Sequence, residues 1–172
     1  VFDIKKNDIN GSSKQYYICH SQSKYKNDQN VINKILNSEK NLKLSDPKTF
    51  KNFINTINAS KQKLVNFLKK AKKIGKTVHA YGASTKGNVL LQYYKINNKM
   101  IDCVAERNKN KYTLYTPGTN IKIISEVLSR FDNPDYYLVL PWHFKKEILI
   151  REKNIRKKGT KFIFPLPNLK II

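Results

Sequence analysis

The chain has 172 residues, enough for one domain or for one domain with an appendage. Hydrophobic residues make up 40% of it, so it can bury a core, but no apolar run is long enough for a transmembrane helix. The net charge of +22 would attract nucleic acid, yet the lysines are spread along the whole chain rather than clustered. We therefore expect solvated lysine-rich surfaces, neither a membrane nor a nucleic-acid interface, and, without a signal peptide, a cytoplasmic protein.

The N-terminal part of the chain predicts a small hairpin and a linker. Residues 1–4 and 16–20 have strand-like patterns, and an Asn-Gly pair lies between them with other turn residues. Residues 21–29 are polar and rich in lysine, which predicts an exposed linker. Apolar residues at helical spacing over 31–36 predict a short helix after it.

A long helix is predicted next. The segment Ser45-Asp46-Pro47 predicts a helix start, with a capping side chain followed by Pro early in the first turn. Apolar residues repeat at helical spacing from Phe50 to Ile74 and predict one apolar stripe, with lysines on the other faces. Gly75 is a typical C-cap and ends the helix.

Beyond this helix, short apolar runs alternate with helical patterns. Strands are predicted around Val78 and Ala80 and over 101–105, 121–124, 136–140 and 161–164, with helices over 88–94, 125–130 and 144–157. This alternation predicts an α/β fold with a doubly wound, mainly parallel sheet, preceded by the long helix and the hairpin. Ligands in such sheets bind beyond the carboxyl ends of the strands.

The segment KTVHAYGASTKGN (76–88) predicts a strand, a loop of small residues and the start of a helix. The candidate ligand residues are Gly82, Ala83, Ser84, Thr85, Lys86, Gly87 and Asn88. Small residues let a ligand approach the backbone, and the first N–H groups of a helix attract anions. The segment contains neither the dinucleotide fingerprint nor the P-loop motif. Two interpretations therefore stay open, a phosphate-sized anion site and a purely structural turn.

Four further candidates follow other predicted strands. Glu106 and Arg107 end the second strand of the sheet, where an acidic residue of dinucleotide-binding folds holds ribose hydroxyls. Glu106 could instead be an ion-pair partner of Arg107 or of a nearby lysine. Trp142 and His143 follow the most apolar strand and could contact a base or a sugar, but Trp142 also suits a plug at the edge of the core. No catalytic triad, paired carboxylates or zinc ligand set is apparent.

Two further observations bear on context. Cys19 and Cys103 lie in apolar, strand-like surroundings, which favours two buried free thiols over a disulfide or a metal pair. The chain begins with Val and its one methionine is Met100, so we expect it to be a piece of a longer protein.

Five segments occur in an order that carries a family resemblance. They are YGASTKGN (81–88), AERNKNK (105–111), TPGTNIKI (116–123), PDYYLVLPWHF (134–144) and GTKFIFPLPNLKII (159–172). Together they resemble the Rossmann-like C-terminal domain of S-adenosylmethionine-dependent sugar C-methyltransferases. That family methylates a carbon of a nucleotide-linked deoxyhexose, typically a TDP-linked 4-keto sugar. The sequence departs from the family pattern at Glu106, where Asp is usual, and at His143, where Asn is usual.

The resemblance implies how the chain is divided and what it does. Residues 45–172 would form the Rossmann-like C-terminal domain, and residues 1–44 a hairpin and linker left from the upstream methyltransferase domain. S-adenosylmethionine, zinc and the catalytic residues of the family would then be bound or located upstream. The implied role of this chain is to complete the cleft for the nucleotide-linked sugar against that catalytic domain, without catalysis of its own.

Two other functions remain as alternatives. One is a nucleotide- or dinucleotide-binding domain of another enzyme, against which the missing glycine fingerprint argues. The other is a basic nucleic-acid-binding module, against which the dispersed charge argues.

Overall fold

The computed structural model describes all 172 residues, which divide into two units, Val1–Thr56 and Ile57–Ile172. The boundary between the units falls inside the long helix. The predicted domains, 1–44 and 45–172, concern a longer protein and remain a prediction. None of the helices combines the length and the apolar character that crossing a membrane requires.

The first unit contains the predicted hairpin, but its strands lie closer to the turn than predicted. Strand β1 (Asp3–Asn7) pairs antiparallel with β2 (Ser13–Tyr17), from Asp3 opposite Tyr17 to Asn7 opposite Ser13. Asn10 and Gly11 adopt left-handed conformations, with φ of 54° and 88°, and this tight turn fixes the register. The strands predicted over 1–4 and 16–20 were therefore placed too far from the turn. The reason is that a strand exposed to solvent tolerates the lysines that lie near the turn.

Helix α1 (Gln29–Asn41) is longer than the predicted helix over 31–36. The side chain of Asp28 accepts a hydrogen bond from the backbone N–H of Val31 at 3.1 Å and caps the first turn. The helix continues through polar residues that the apolar periodicity alone did not include. The first unit thus begins and ends its helix with local polar contacts.

Helix α2 (Pro47–Lys73) confirms the predicted long helix, and Gly75 follows it with a φ of +73°. In its second half Leu64 and Leu68 are fully buried. In its first half Phe53 is 62% exposed, so the predicted apolar stripe is buried over only part of the helix. Periodicity identifies the apolar face of a helix but does not show how much of that face is covered.

The second unit is built on a six-stranded sheet with the spatial order β5-β4-β3-β6-β7-β8. The strands are β3 (Val78–Tyr81), β4 (Cys103–Glu106), β5 (Ile123–Ser125), β6 (Tyr136–Val139), β7 (Lys161–Phe164) and β8 (Lys170–Ile171). The helices are α3 (Thr85–Tyr94), α4 (Glu126–Phe131), α5 (Lys145–Arg151) and α6 (Lys153–Lys157). Only β8 runs antiparallel to its neighbour, which confirms an α/β fold with a mainly parallel sheet.

Apolar residues cover both faces of this sheet. On one face Val78 and Ala80 pack with the second half of α2 and with α3. On the other face Tyr81 and Tyr137 pack with Ile148 of α5 and Ile155 of α6. Because successive residues of a strand point to opposite faces, near-continuous burial of the strands is expected for a parallel sheet between two helix layers.

Three boundaries differ from the predictions. Helix α3 begins at Thr85 instead of Asn88, because the side chain of Ser84 caps it by accepting a hydrogen bond from the N–H of Gly87 at 3.0 Å. The predicted helix over 144–157 is broken at Glu152, whose buried carboxylate contacts residues outside the helix. Strand β8 has only two residues, too few for a pattern to predict.

The cysteines are both free, as predicted. Cys103 is buried, and burial raises the pKa of its thiol to about 12, so this thiol stays protonated. Cys19 is only half-buried. His79 is buried and its Nδ1 lies 2.8 Å from Oγ of Ser129, and His20 is exposed and lies outside the strands.

Candidate functional site

A cleft of about 470 Å³ opens at the carboxyl edge of the sheet, and we call it the edge cleft. The loops after β3, β4 and β6 form its walls together with Glu126 of α4 and one side of α5. It lies where the strand order reverses, because β4 and β6 flank β3 on opposite sides. In open α/β sheets this reversal is where ligands bind. The cleft thus lies at the edge of the sheet where the sequence places its candidate residues, and ligand binding there stays a prediction.

The loop after β3 follows a path that only glycine accommodates at two positions. Gly82 has a φ of +82°, and a Cβ atom there would lie 3.0 Å from Cδ of Pro141. Gly87 lies in the first turn of α3, where a Cβ atom would lie only 2.5 Å from Cβ of Leu140. These glycines bring the helix against β6 and the loop against Pro141.

Most backbone N–H groups of this segment already have partners within the chain. Gly82 donates to the carbonyl of Ala105 at 2.7 Å, and Ser84 donates to the carbonyl of Gly82 at 2.9 Å. Ala83, Gly87 and Asn88 also donate, to Glu106, to the Ser84 hydroxyl and to the Ser84 carbonyl respectively. An anion site on this segment therefore depends on the first helical residues, Thr85 and Lys86, whose side chains are exposed.

Glu106 holds two loops together. Its Oε2 accepts a hydrogen bond from the N–H of Ala83 at 2.7 Å, and its Oε1 accepts from the N–H groups of Arg107 at 2.8 Å and Asn108 at 2.9 Å. Nζ of Lys111 lies 3.9 Å from the same carboxylate and donates to the carbonyl of Ala83 at 2.8 Å. The contact to Arg107 thus involves its backbone, and Arg107 is one of the residues that line the edge cleft.

Trp142 and His143 are not part of the edge cleft. Trp142 is half-buried against both core clusters and lines a separate apolar groove of about 280 Å³ with Lys86, Val89 and Tyr93. This position agrees with the interpretation of Trp142 as a plug at the edge of the core. Burial and the nearby charge of Lys86 lower the pKa of His143, so its ring is neutral at physiological pH.

Seven of the eleven predicted site residues line one of these two cavities. The first residues of the loop after β3, Gly82 to Ser84, line the edge cleft together with Glu106 and Arg107. Lys86 and Trp142 line the apolar groove. The remaining four line neither cavity; they are Thr85, Gly87, Asn88 and His143.

Sequence reasoning missed a network of charged residues beside the edge cleft. Arg130 donates from Nε and Nη2 to the two oxygens of Glu152, at 2.8 and 2.6 Å, and from Nη2 to Glu126 at 2.7 Å. The hydroxyl of Tyr81 donates to Glu152 at 2.7 Å. Arg151 donates to the Tyr81 hydroxyl and, at 3.1 Å, to Glu126. Two carboxylates thereby meet two guanidinium groups, which neutralises the network.

The pKa shifts of this network follow from its geometry. Burial opposes ionisation of Glu152, but the hydrogen bonds from Arg130 and Tyr81 outweigh it and hold the pKa of that carboxyl below its usual value. Burial, and then the hydrogen bond to Glu152, raise the pKa of the Tyr81 hydroxyl, so Tyr81 is neutral. A local signal for part of this network is the i,i+4 spacing of Glu126 and Arg130, which favours an ion pair on one face of a helix.

Comparison with known proteins identifies the family. A model of the family described as "C-methyltransferase C-terminal domain" matches residues 8–167. The chain belongs to the C-methyltransferase C-terminal domain family. It is also similar to the C-methyltransferase NovU of Streptomyces niveus, with 37% identity over 98 residues. The match covers 57% of this chain and 23% of NovU, so less than a quarter of that relative's length is matched.

The family membership confirms the resemblance noted in the sequence and supports a methyltransferase region. Within the structure, no three or more His, Cys, Asp or Glu side chains come together in a way that could hold a metal ion. Glu106, at the position where dinucleotide-binding folds hold ribose hydroxyls, accepts three backbone hydrogen bonds instead.

Proposed function

We propose that this chain is the Rossmann-like C-terminal region of an S-adenosylmethionine-dependent C-methyltransferase that acts on a nucleotide-linked keto-deoxysugar. The single observation that carries the proposal is the match of residues 8–167 to the C-methyltransferase C-terminal domain. The strand order β5-β4-β3-β6-β7-β8 supports the Rossmann-like part, because it is the order 3-2-1-4-5-6 of dinucleotide-binding folds. Its helices also cover both faces of the sheet, as in a doubly wound fold.

In this proposal the region binds substrate and does not perform the methyl transfer. Methylation next to a ketone requires removal of a proton, after which negative charge develops on the ketone oxygen. S-adenosylmethionine supplies the methyl group when bound, and we place it, with zinc and the proton-removing base, on an upstream catalytic domain. The edge cleft and the start of α3 would then complete the substrate site from the other side.

The start of α3 is our proposed contact for a phosphate or for the developing enolate oxygen. Helix N-termini favour anions through their N–H groups and dipole, and α3 has ten residues. Thr85 and Lys86 are exposed in its first turn and add a hydroxyl and a positive charge. A preorganised donor set of this kind stabilises charge that develops during a reaction.

Replacing Lys86 with Ala in the full-length protein tests this role. Loss of one charge-assisted hydrogen bond costs about 1.5–3 kcal/mol, which corresponds to a roughly 10- to 100-fold loss in nucleotide-sugar affinity or turnover. The melting temperature should change little, because Lys86 is exposed. The measurements are steady-state kinetics with a nucleotide-linked keto sugar and thermal unfolding.

A matched control is Lys99→Ala, since Lys99 is also exposed and lies beyond the opposite end of α3. This variant should keep the affinity and turnover of the unaltered protein. Equal kinetics for both variants would leave the segment 82–88 as a structural turn. Methyl transfer to a substrate without a nucleotide would contradict the proposed function itself.

A further inference from the structure

Arg151 has a fixed position on the wall of the edge cleft. Its Nε donates to the hydroxyl of Tyr81 at 3.1 Å, and its Nη2 donates to that hydroxyl and to Oε1 of Glu126 at 3.1 Å. The guanidinium carbon also lies 5.4 Å from the centre of the Tyr81 ring. No hydrogen bond from its Nη1 to the protein is found, Arg151 lines the cleft, and 37% of its side chain is exposed. The two N–H groups of Nη1 therefore remain for a ligand.

The charges around Arg151 disfavour a phosphate as that ligand. Carboxylates of Glu126 and Glu152 lie 3.1 and 3.5 Å from the Arg151 guanidinium and already balance its charge. The whole cleft is lined by three basic and three acidic side chains, although the chain carries a net charge of +22. The basic ones are Arg107, Lys111 and Arg151, and the acidic ones are Glu106, Glu126 and Glu147. An uncharged oxygen suits this environment better than a dianion does.

Glu147 provides an acceptor one helical turn before Arg151. Residues four apart on a helix lie on the same face, and Glu followed by Arg normally forms an ion pair there. No such ion pair forms, because Arg151 points to Tyr81 and Glu126. The Glu147 carboxylate is exposed in the cleft beside Phe144 and the buried Ile148. The cleft therefore offers a donor, an acceptor and an apolar wall.

We propose that Arg151, together with Glu147, is a specificity-determining contact for an uncharged, oxygen-bearing part of the ligand, either a sugar hydroxyl or a nucleobase carbonyl. Tyr81 and Glu126 are positioning residues that hold the guanidinium group in place. The phosphates bind elsewhere. This inference rests on the proposed function, since it places part of a nucleotide-linked sugar in the edge cleft.

Calorimetric titration of the full-length protein with three probes tests the inference. The probes are thymidine diphosphate, a thymidine diphosphate-linked hexose and inorganic pyrophosphate. Arg151→Lys keeps the positive charge but loses the planar set of N–H donors of the guanidinium group. Affinity should therefore fall roughly tenfold for the hexose-linked probe and stay within about twofold for pyrophosphate. A parallel loss for thymidine diphosphate identifies a contact to the nucleoside, and an unchanged value identifies a hydroxyl of the hexose.

Two further variants keep the test decisive if Arg151→Lys unfolds. Glu147→Gln alters an exposed side chain, so it should fold normally and weaken binding of the same probes several-fold. Lys146→Met is the matched control, because it removes a charge from the same helix outside the cleft, and it should bind all probes normally. Melting temperatures of all variants verify that they are folded.

The outcomes separate this inference from the proposed function. An equal loss for pyrophosphate would show that Arg151 contacts a phosphate and would overturn the inference. Unchanged affinities in the folded Arg151 and Glu147 variants would overturn it as well, while leaving the proposed function in place. If the unaltered protein binds neither nucleotide probe, the proposed function fails and the inference fails with it.

Discussion

The position of the Glu106 carboxylate indicates a role in stability more than a role in ligand binding. Its two oxygens accept hydrogen bonds from the N–H groups of Ala83, Arg107 and Asn108 at 2.7–2.9 Å, and the side chain is only 12% exposed. In Glu106→Gln one oxygen becomes an NH₂ group, which cannot accept from the N–H it faces. We expect a loss of about 2–4 kcal/mol in the free energy of unfolding, since hydrogen bonds to charged groups contribute about 1.5–3 kcal/mol and the remaining ones weaken.

Thermal unfolding measures this loss. For a domain of this size 1 kcal/mol shifts the melting temperature by roughly 2–4 °C, so Glu106→Gln should melt roughly 4–16 °C lower. Glu147→Gln is the matched control: it removes a carboxylate exposed in the same cleft, and we expect a change within about 0.5 kcal/mol. If Glu106→Gln melts like the unaltered protein but loses nucleotide affinity, Glu106 is a ligand residue and the reasoning from its backbone contacts is wrong.

Two more predictions concern residues near the sheet. Gly87→Ala should lower the free energy of unfolding by about 1–3 kcal/mol in denaturant titrations, because the new Cβ would lie 2.5 Å from Cβ of Leu140. The control is Val89→Ala, since Val89 is exposed. Equal stabilities of the two variants would contradict the predicted clash. Burial lowers the pKa of His79 despite the opposing charges of Asp102 and Asp132. Its contribution to stability is therefore complete above the unfolded pKa of about 6.5 and decreases below it, by up to about 1.4 kcal/mol per pH unit. His79→Gln should remove this part of the pH dependence of the free energy of unfolding between about pH 6.5 and 5. An unchanged pH dependence would show that other groups cause it.

The elements that the sequence predicted best are those with strong local signals. Helix α2 was correctly bounded because Pro47 and Gly75 mark its ends, and the alternation of strands and helices correctly indicated a mainly parallel sheet. The start of α3 was misplaced by three residues, because Gly87 in its first turn is a poor helix former and Ser84 was not identified as the capping residue.

The sequence could predict at which edge of the sheet the candidate residues lie. It could not predict which contacts their side chains make there. Parallel strands bring their carboxyl ends together, which is why Gly82, Glu106 and Arg107 line one cleft. Trp142 follows a strand that ends at the same edge, but its side chain turns into the core and the neighbouring groove. Arg151 and Glu152 were missed because their roles depend on Tyr81, about 70 residues away in the chain.

The placement of acidic residues explains how a strongly basic chain builds this edge. Loops after parallel strands leave backbone N–H groups without ladder partners, and Glu106 supplies acceptors for three of them across two loops. Glu126 and Glu152 join α4 to α5 and to Tyr81 of β3 through the arginines. These three acids therefore connect separate elements, whereas Lys86 in the first turn of α3 and Arg107 after β4 are exposed cations. Substitution of the acids should act first on stability, and substitution of these cations should affect ligand binding more than stability.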